Sequence, residues 1–155
     1  MSPDEAFVLR LVHALRAVDL EYVIVGMAAA SLQGTPVMTQ DVDILIRDTA
    51  LNRERLGRLA QLIGSARPRA VSELSTTVTM IGGDIPVDVL FDRLPGPRSF
   101  EGVRARSVNV ALGDVAAVVA SLEDIIASKE AAGRPKDLAH LQILRATLRI
   151  RAALD

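Results

Sequence analysis

The feature that most constrains this chain is Tyr22 to Ile46, YVIVGMAAASLQGTPVMTQDVDILI. An apolar, β-branched run (Tyr22 to Val25) stops at Gly26. A small-residue segment, Met27 to Gln33, follows and reads as one or two helical turns, and Gly34 and Pro36 mark a turn. The stretch closes on a second strand, Asp41 to Ile46, that carries two carboxylates. Side chains alternate along a strand, so Asp41 and Asp43 share one face with Cα atoms about 6.5 Å apart, and Val42 and Ile44 take the core face. Two like charges at that spacing repel by roughly 2–3 kcal/mol at an effective dielectric of 20. A divalent cation would offset that repulsion. The solvated face of an edge strand would tolerate it.

The upstream turn favours the cation. A strand that runs through Gly26 into a helix start presents backbone N–H groups suited to phosphate. Carboxylates beside such amides form a site for a metal–nucleotide complex, because Mg²⁺ is held by one or two carboxylates plus substrate phosphates. A third carboxylate, Asp88, stands alone between Val87 and Val89 in the run Ile85 to Phe91. A lone Asp in an apolar strand is costly unless a cation, a donor or water meets it.

These residues resemble the nucleotidyltransferase superfamily related to DNA polymerase β. The resemblance lies in Val25-Gly26-Met27, then Asp41-Val42-Asp43, then Val87-Asp88-Val89, and covers Tyr22 to Phe91. A further segment, Ser121 to Lys129 followed by Gly133-Arg-Pro-Lys-Asp137 and His140, resembles the AbiEii-like branch, which includes toxins of type IV toxin–antitoxin and phage-defence systems. The resemblance implies an α+β fold: a mixed sheet with helices packed on it and a C-terminal helical pair. It implies that Asp41, Asp43 and Asp88 are catalytic and bind Mg²⁺, two ions with an NTP bound. It implies nucleotide contacts at Gly26, Met27, Thr39, Lys129, Lys136 and Asp137, with Lys129 on phosphate and Asp137 ordering the site. The implied reaction moves a nucleoside monophosphate from an NTP to a hydroxyl of RNA (tRNA-like) or protein, with an antitoxin protein as partner. A small-molecule acceptor such as an antibiotic, and a non-catalytic binding module of the same fold, are the alternatives. Two departures bear on nucleotide affinity more than on metal binding: Met27 stands where the family prefers Gly or Ser, and Val37 where relatives often carry Arg.

Length and composition fit this frame. The 155 residues suggest one domain, with a core at about 20–120 and the helical pair at about 121–153. Half the residues are hydrophobic, enough for a sizeable core with some surplus for a partner surface. No apolar run reaches the 18 or so residues that span a bilayer, and MSPDEAF lacks the basic start of a signal peptide, so a cytoplasmic protein without a membrane partner is expected. The absence of cysteine excludes disulfides and thiolate metal sites. Net charge is −1 and gives no general pull toward nucleic acid. Its arginines cluster (Arg53, Arg55, Arg58; Arg67, Arg69; Arg145, Arg149, Arg151), which reads as solvated helix faces or as a local surface for RNA. Lys129 and Lys136 are the only lysines, and an ammonium is a compact charge suited to a triphosphate.

The remaining elements follow from caps and periodicity. Ser2, Pro3 and Glu5 start a helix that runs to about Val18, burying Phe7, Leu11, Ala14, Leu15 and Val18, with His13 at its surface. A second helix spans about Ala50 to Ile63 with a stripe of Leu51, Leu56, Leu59, Ala60 and Ile63, stopped by Gly64. Ser65 to Ala70 reads as a loop. Ser75 to Ile81 and Ile85 to Phe91 form a hairpin about Gly82-Gly83-Asp84. Asp92 to Arg98 is a loop, Val103 to Val110 alternates like a strand, and Val115 to Val119 is a short strand. Ser121 caps a helix to Ala132. Gly133 and Pro135 then lead into a final helix, about Lys136 to Ala153, with a stripe of Leu138, Leu141, Leu144, Leu148 and Ala152 and a structural His140.

Overall fold

The computed structural model describes residues 2–64, 69–70, 77–80 and 85–155. Helix α1 (Pro3–Ala17) begins where the Ser2 side chain accepts a hydrogen bond from the Glu5 N–H. All five expected apolar residues on its face are buried, the outermost being Ala14 at 8% exposure. Strand β1 (Val23–Val25) is buried throughout and turns directly at Gly26 into α2 (Gly26–Leu32). Strand β2 (Val42–Ile46) follows, then α3 (Ala50–Leu62), capped by Thr49.

Strands β3 (Arg69–Ala70), β4 (Thr77–Met80) and β5 (Val87–Phe91) come next. A two-residue ladder of β6 (Arg93–Leu94) and β7 (Arg98–Ser99) leads into α4 (Phe100–Ala105). Strands β8 (Val108–Leu112) and β9 (Val115–Val119) then precede the helical pair, α5 (Leu122–Ala132) and α6 (Pro135–Leu154).

The main sheet has the order β3-β4-β5-β2-β1-β9-β8. It is mixed: β2 runs parallel to β5 and β1 parallel to β9, and the other pairs are antiparallel. With the helices packed on it and α5–α6 at the C-terminal end, this is the α+β architecture that the family resemblance implies. Central strands buried on both faces need near-continuous apolar sequence, which β1 and all of β2 except Asp43 supply. None of the described helices is long and apolar enough to cross a membrane.

Several expectations change. The stretch Val103 to Val110 is not one strand. Ser99 accepts a hydrogen bond from the Gly102 N–H and caps α4, whose Phe100 and Val103, three residues apart, are both fully buried. Helical spacing therefore wins there, and strand pairing starts only at Val108. The expected loop at 92–98 contains the β6–β7 ladder. Asp41 lies in a bend one residue ahead of β2 and not within it. Leu51 and Leu138 are half exposed, at 50% and 54%. Each sits one residue, about 100° of helix rotation, from the position that faces inward, taken by Asn52 in α3 and by the fully buried Asp137 in α6. Ala152 is also exposed, on the last turns of α6. Residues 65–68 of the expected loop, strand residues Ser75, Thr76 and Ile81, and the turn at Gly82-Gly83-Asp84 lie outside the described residues. The last two loop residues, Arg69–Ala70, form β3.

One buried carboxylate holds the helical pair to the β6–β7 ladder and to α4. Asp124, 1% exposed, accepts from Arg98 Nη1 at 2.6 Å and from Arg106 Nε at 2.9 Å. These contacts tie β7 and the end of α4 to the first turn of α5, so the helix carrying Lys129 is fixed at its origin.

Candidate active site

Asp41, Asp43 and Asp88 converge: one oxygen from each lies within 4.8 Å of the others. The sheet register produces this, because β2 and β5 run parallel with Asp43 directly beside Asp88, while the bend ahead of β2 brings in Asp41. Val42, Val87 and Val89, on the other face, are fully buried.

The cluster is electrostatically unfavourable on its own. Burial, then the charges of Asp41 and Asp88, push the Asp43 carboxyl up to about 7. Burial, then Asp88, also raises Asp41. Like charges converging in a partly desolvated site favour the protonated form, and a divalent cation would displace those protons. A cluster of carboxylate oxygens suits a hard cation such as Mg²⁺.

Gly26 adjoins Asp43 because β1 pairs Val25 with it. Its φ is +66°, and a Cβ there would lie 2.8 Å from Asp43 Oδ2. The left-handed backbone disfavours a side chain there, and a Cβ would force the Asp43 carboxylate to move.

A cavity of about 100 Å³ extends from Gly26 and Asp43 to the helical pair. Leu90, Leu94 and Pro95 line one part, and Lys129, Arg134 and Asp137 another. Asp137 is fully buried and organises the cations. Lys129 Nζ lies 3.2 Å from its Oδ1, Arg134 Nε 2.6 Å from its Oδ2, and the Arg134 backbone N–H also donates to Oδ2. Burial pushes its carboxyl up, but the hydrogen bonds from Arg134 and Lys129 outweigh that and hold it down at about 2. His140 Nδ1 lies 3.4 Å from Lys129 Nζ. Burial and the Lys129 charge lower the His140 pKa, so the neutral ring accepts from the ammonium.

The structure thus gathers Gly26, Asp43, Lys129 and Asp137 around one cavity, and Asp41 and Asp88 join it through the carboxylate cluster. Lys136 is exposed on the first turn of α6, where its charge acts on Asp41. Thr39, partly buried in the segment before Asp41, and Met27, packed against the core, do not line the cavity.

The sequence reading missed three neighbours. Ser128 and Arg134 line the cavity, and Thr79 Oγ1 lies 2.7 Å from Asp88 Oδ1. Arg134 carried a signal, since Arg-Pro-Lys-Asp is a helix start with an acidic residue at its third position. A larger open depression, about 680 Å³, lies at the other end of β2. Its Arg47 and Arg55 are paired with Glu21, Glu101 and Asp19, and the carboxylate cluster does not border it.

Comparison with family models gives no match for this chain, and comparison with curated proteins gives none either. Solved structures do resemble it. The antibiotic-resistance factor ANT(2'')-Ia in solution aligns with TM-score 0.66 and 17% identity, over 97% of this chain and 93% of that one. Its crystal structure in complex with adenylyl-2''-tobramycin aligns with TM-score 0.66 and 14% identity, over 98% and 97%. A candidate nucleotidyltransferase from Thermotoga maritima aligns with TM-score 0.65 and 21% identity, over 92% of each chain. At these identities the likeness is one of fold.

Proposed function

We propose that this chain is a Mg²⁺-dependent nucleotidyltransferase that moves a nucleoside monophosphate from an NTP to a hydroxyl group. The observation that carries the reading is the convergence of Asp41, Asp43 and Asp88 beside a cavity whose far wall holds Lys129 and Arg134. A metal ion held by the three carboxylates would neutralise charge on the reacting phosphates. Gly26, without a Cβ, lets the chain approach the phosphates closely. Lys129 and Arg134, held by buried Asp137, take up negative charge on the triphosphate. Asp88 accepts the acceptor's proton as its oxygen bonds to the α-phosphorus, and the bond from the α-phosphorus to the bridging oxygen breaks to release pyrophosphate. On this reading the sheet core and the helical pair act as one catalytic unit, because both line the cavity.

A small-molecule hydroxyl is the favoured acceptor. The likeness to ANT(2'')-Ia, solved with adenylyl-2''-tobramycin, runs over nearly all of both chains. Asp43 and Asp137 are the only carboxylates among the described lining residues, and Asp137 is already paired, so nothing in the cavity favours a polycationic acceptor over a neutral one. The second reading, an RNA or protein hydroxyl with a toxin-type role and an antitoxin partner, is supported by the resemblance of the segment carrying Lys129 and Asp137 to the AbiEii-like branch. The non-catalytic reading draws no support from Met27, which packs on the core away from the cavity.

The test is incubation with Mg²⁺ and each α-labelled NTP in the presence of small-molecule alcohols, aminoglycosides, total RNA or total protein. Label is expected in a small-molecule product, and Asp43→Ala should abolish it. Label on RNA or protein would shift the assignment to the second reading. No transfer to any acceptor, or transfer retained in Asp43→Ala, would defeat the proposal.

A further inference from the structure

Strand β5 lies between β2 and β4, and Asp88 has a register partner on each side: Asp43 on β2 and Thr79 on β4. Directly paired residues in neighbouring strands point to the same face, so Asp43, Asp88 and Thr79 form one row across the sheet. The flanking Val78 and Met80 point to the opposite face, where both are buried. Thr79 Oγ1 lies 2.7 Å from Asp88 Oδ1. The threonine hydroxyl donates and the carboxylate oxygen accepts. Threonine's β-branching restricts χ1, so this donor is aimed before any ligand arrives.

Asp88 thus has a like charge on one side of the row and a single hydroxyl donor on the other. Without that donor, repulsion from Asp43 and Asp41 would favour turning the Asp88 carboxylate out of the cluster.

We infer that Thr79 is a positioning residue whose hydroxyl holds the Asp88 carboxylate in the orientation that completes the three-carboxylate cluster, and so sets the affinity for the divalent ion. The inference rests on the proposed metal site. Outer hydrogen-bond partners of metal-binding groups are typically worth about 10- to 100-fold in metal affinity.

The experiment is a Mn²⁺ titration followed by electron paramagnetic resonance, with and without a non-hydrolysable NTP analogue. It compares the wild type with Thr79→Val, Thr79→Ala and Thr79→Ser. The Val and Ala variants should weaken Mn²⁺ binding about 10- to 100-fold, and Ser, which keeps the hydroxyl, should stay near wild type. Val and Ala variants that bind Mn²⁺ like the wild type would overturn the inference and leave the metal site standing. A Ser variant as weak as Val would assign the loss to the γ-methyl and overturn it too. A wild type that binds no Mn²⁺ in either arm would remove the metal-site reading itself, and the inference with it.

Discussion

Gly26 and Asp43 constrain one another. A Cβ at Gly26 would press on Asp43 Oδ2 at 2.8 Å, and the simplest relief is rotation of the Asp43 side chain. Gly26→Ala should therefore act twice. The left-handed backbone costs about 1–2 kcal/mol of stability, read by thermal or denaturant melts, and the displaced carboxylate weakens Mn²⁺ binding. A variant with wild-type affinity for Mn²⁺ would show that Asp43 need not hold its present position.

The raised pKa of Asp43 makes a second prediction. A carboxyl whose folded value, about 7, exceeds the unfolded 3.8 contributes stability below the unfolded value and loses it as pH rises through the folded one. Metal-free Asp43→Asn, which mimics the protonated group, should be more stable than wild type at pH 8 by about 1–3 kcal/mol. The difference should close toward pH 4. Melts of both proteins in chelator across that range decide it, and a gap that does not vary with pH would contradict burial and like-charge repulsion as its cause. At this scale the place of Asp43 was legible because alternation along a strand is local, whereas Asp41 reaches the cluster from the bend ahead of β2. The contact of Thr79 with Asp88 was not legible, because it depends on the β4–β5 register.

Among the elements, the α5–α6 corner does most to shape the site. Gly133 ends α5 in the left-handed conformation at φ +64°, and Pro135 starts α6 two residues later. Both residues were readable as punctuation. The sequence did not reveal that the inward position on the first turn of α6 belongs to Asp137 and not to Leu138. A charge takes that place because Lys129 and Arg134 meet it there.

Asp137→Asn should lower stability by about 2 kcal/mol, since hydrogen bonds to a charged group are lost while both cations can still reach water. It should also raise KM for the NTP about tenfold, the equivalent of about 1.4 kcal/mol. Denaturant melts and steady-state kinetics check the two effects, and an unchanged KM would separate Asp137 from the nucleotide. The pH sign is opposite to that of Asp43. Asp137, held at about 2, contributes fully above its unfolded value of 3.8 and loses that contribution as pH falls toward 2. At α4 the alternating residues Val103 to Val110 mimicked a strand. The competing signal was the Ser99 cap followed by Phe100 and Val103 three apart, with both side chains reaching the core.

For the whole molecule, strand order brings the three carboxylates together. β1 and β2 are sequence neighbours joined through α2, but β5 reaches β2 only after α3, β3 and β4 have intervened. Most individual strands could be read from β-branched runs, whereas their order is set by packing between segments distant in sequence. The family resemblance implied a mixed sheet with packed helices and a C-terminal helical pair, which the structure has, but it did not give the strand order. Acceptor chemistry was not legible in the same way, since it depends on the walls around the cluster and not on the motif.

The central claim is that Asp41, Asp43 and Asp88 together hold a divalent ion next to a bound nucleotide. Anomalous diffraction from crystals grown with Mn²⁺ and a non-hydrolysable NTP analogue tests it most directly. The account predicts a metal peak about 2.0–2.3 Å from an oxygen of each carboxylate, with the triphosphate running toward Lys129 and Arg134. A nucleotide bound with no metal between those three side chains, or with its phosphates directed away from the helical pair, would contradict it.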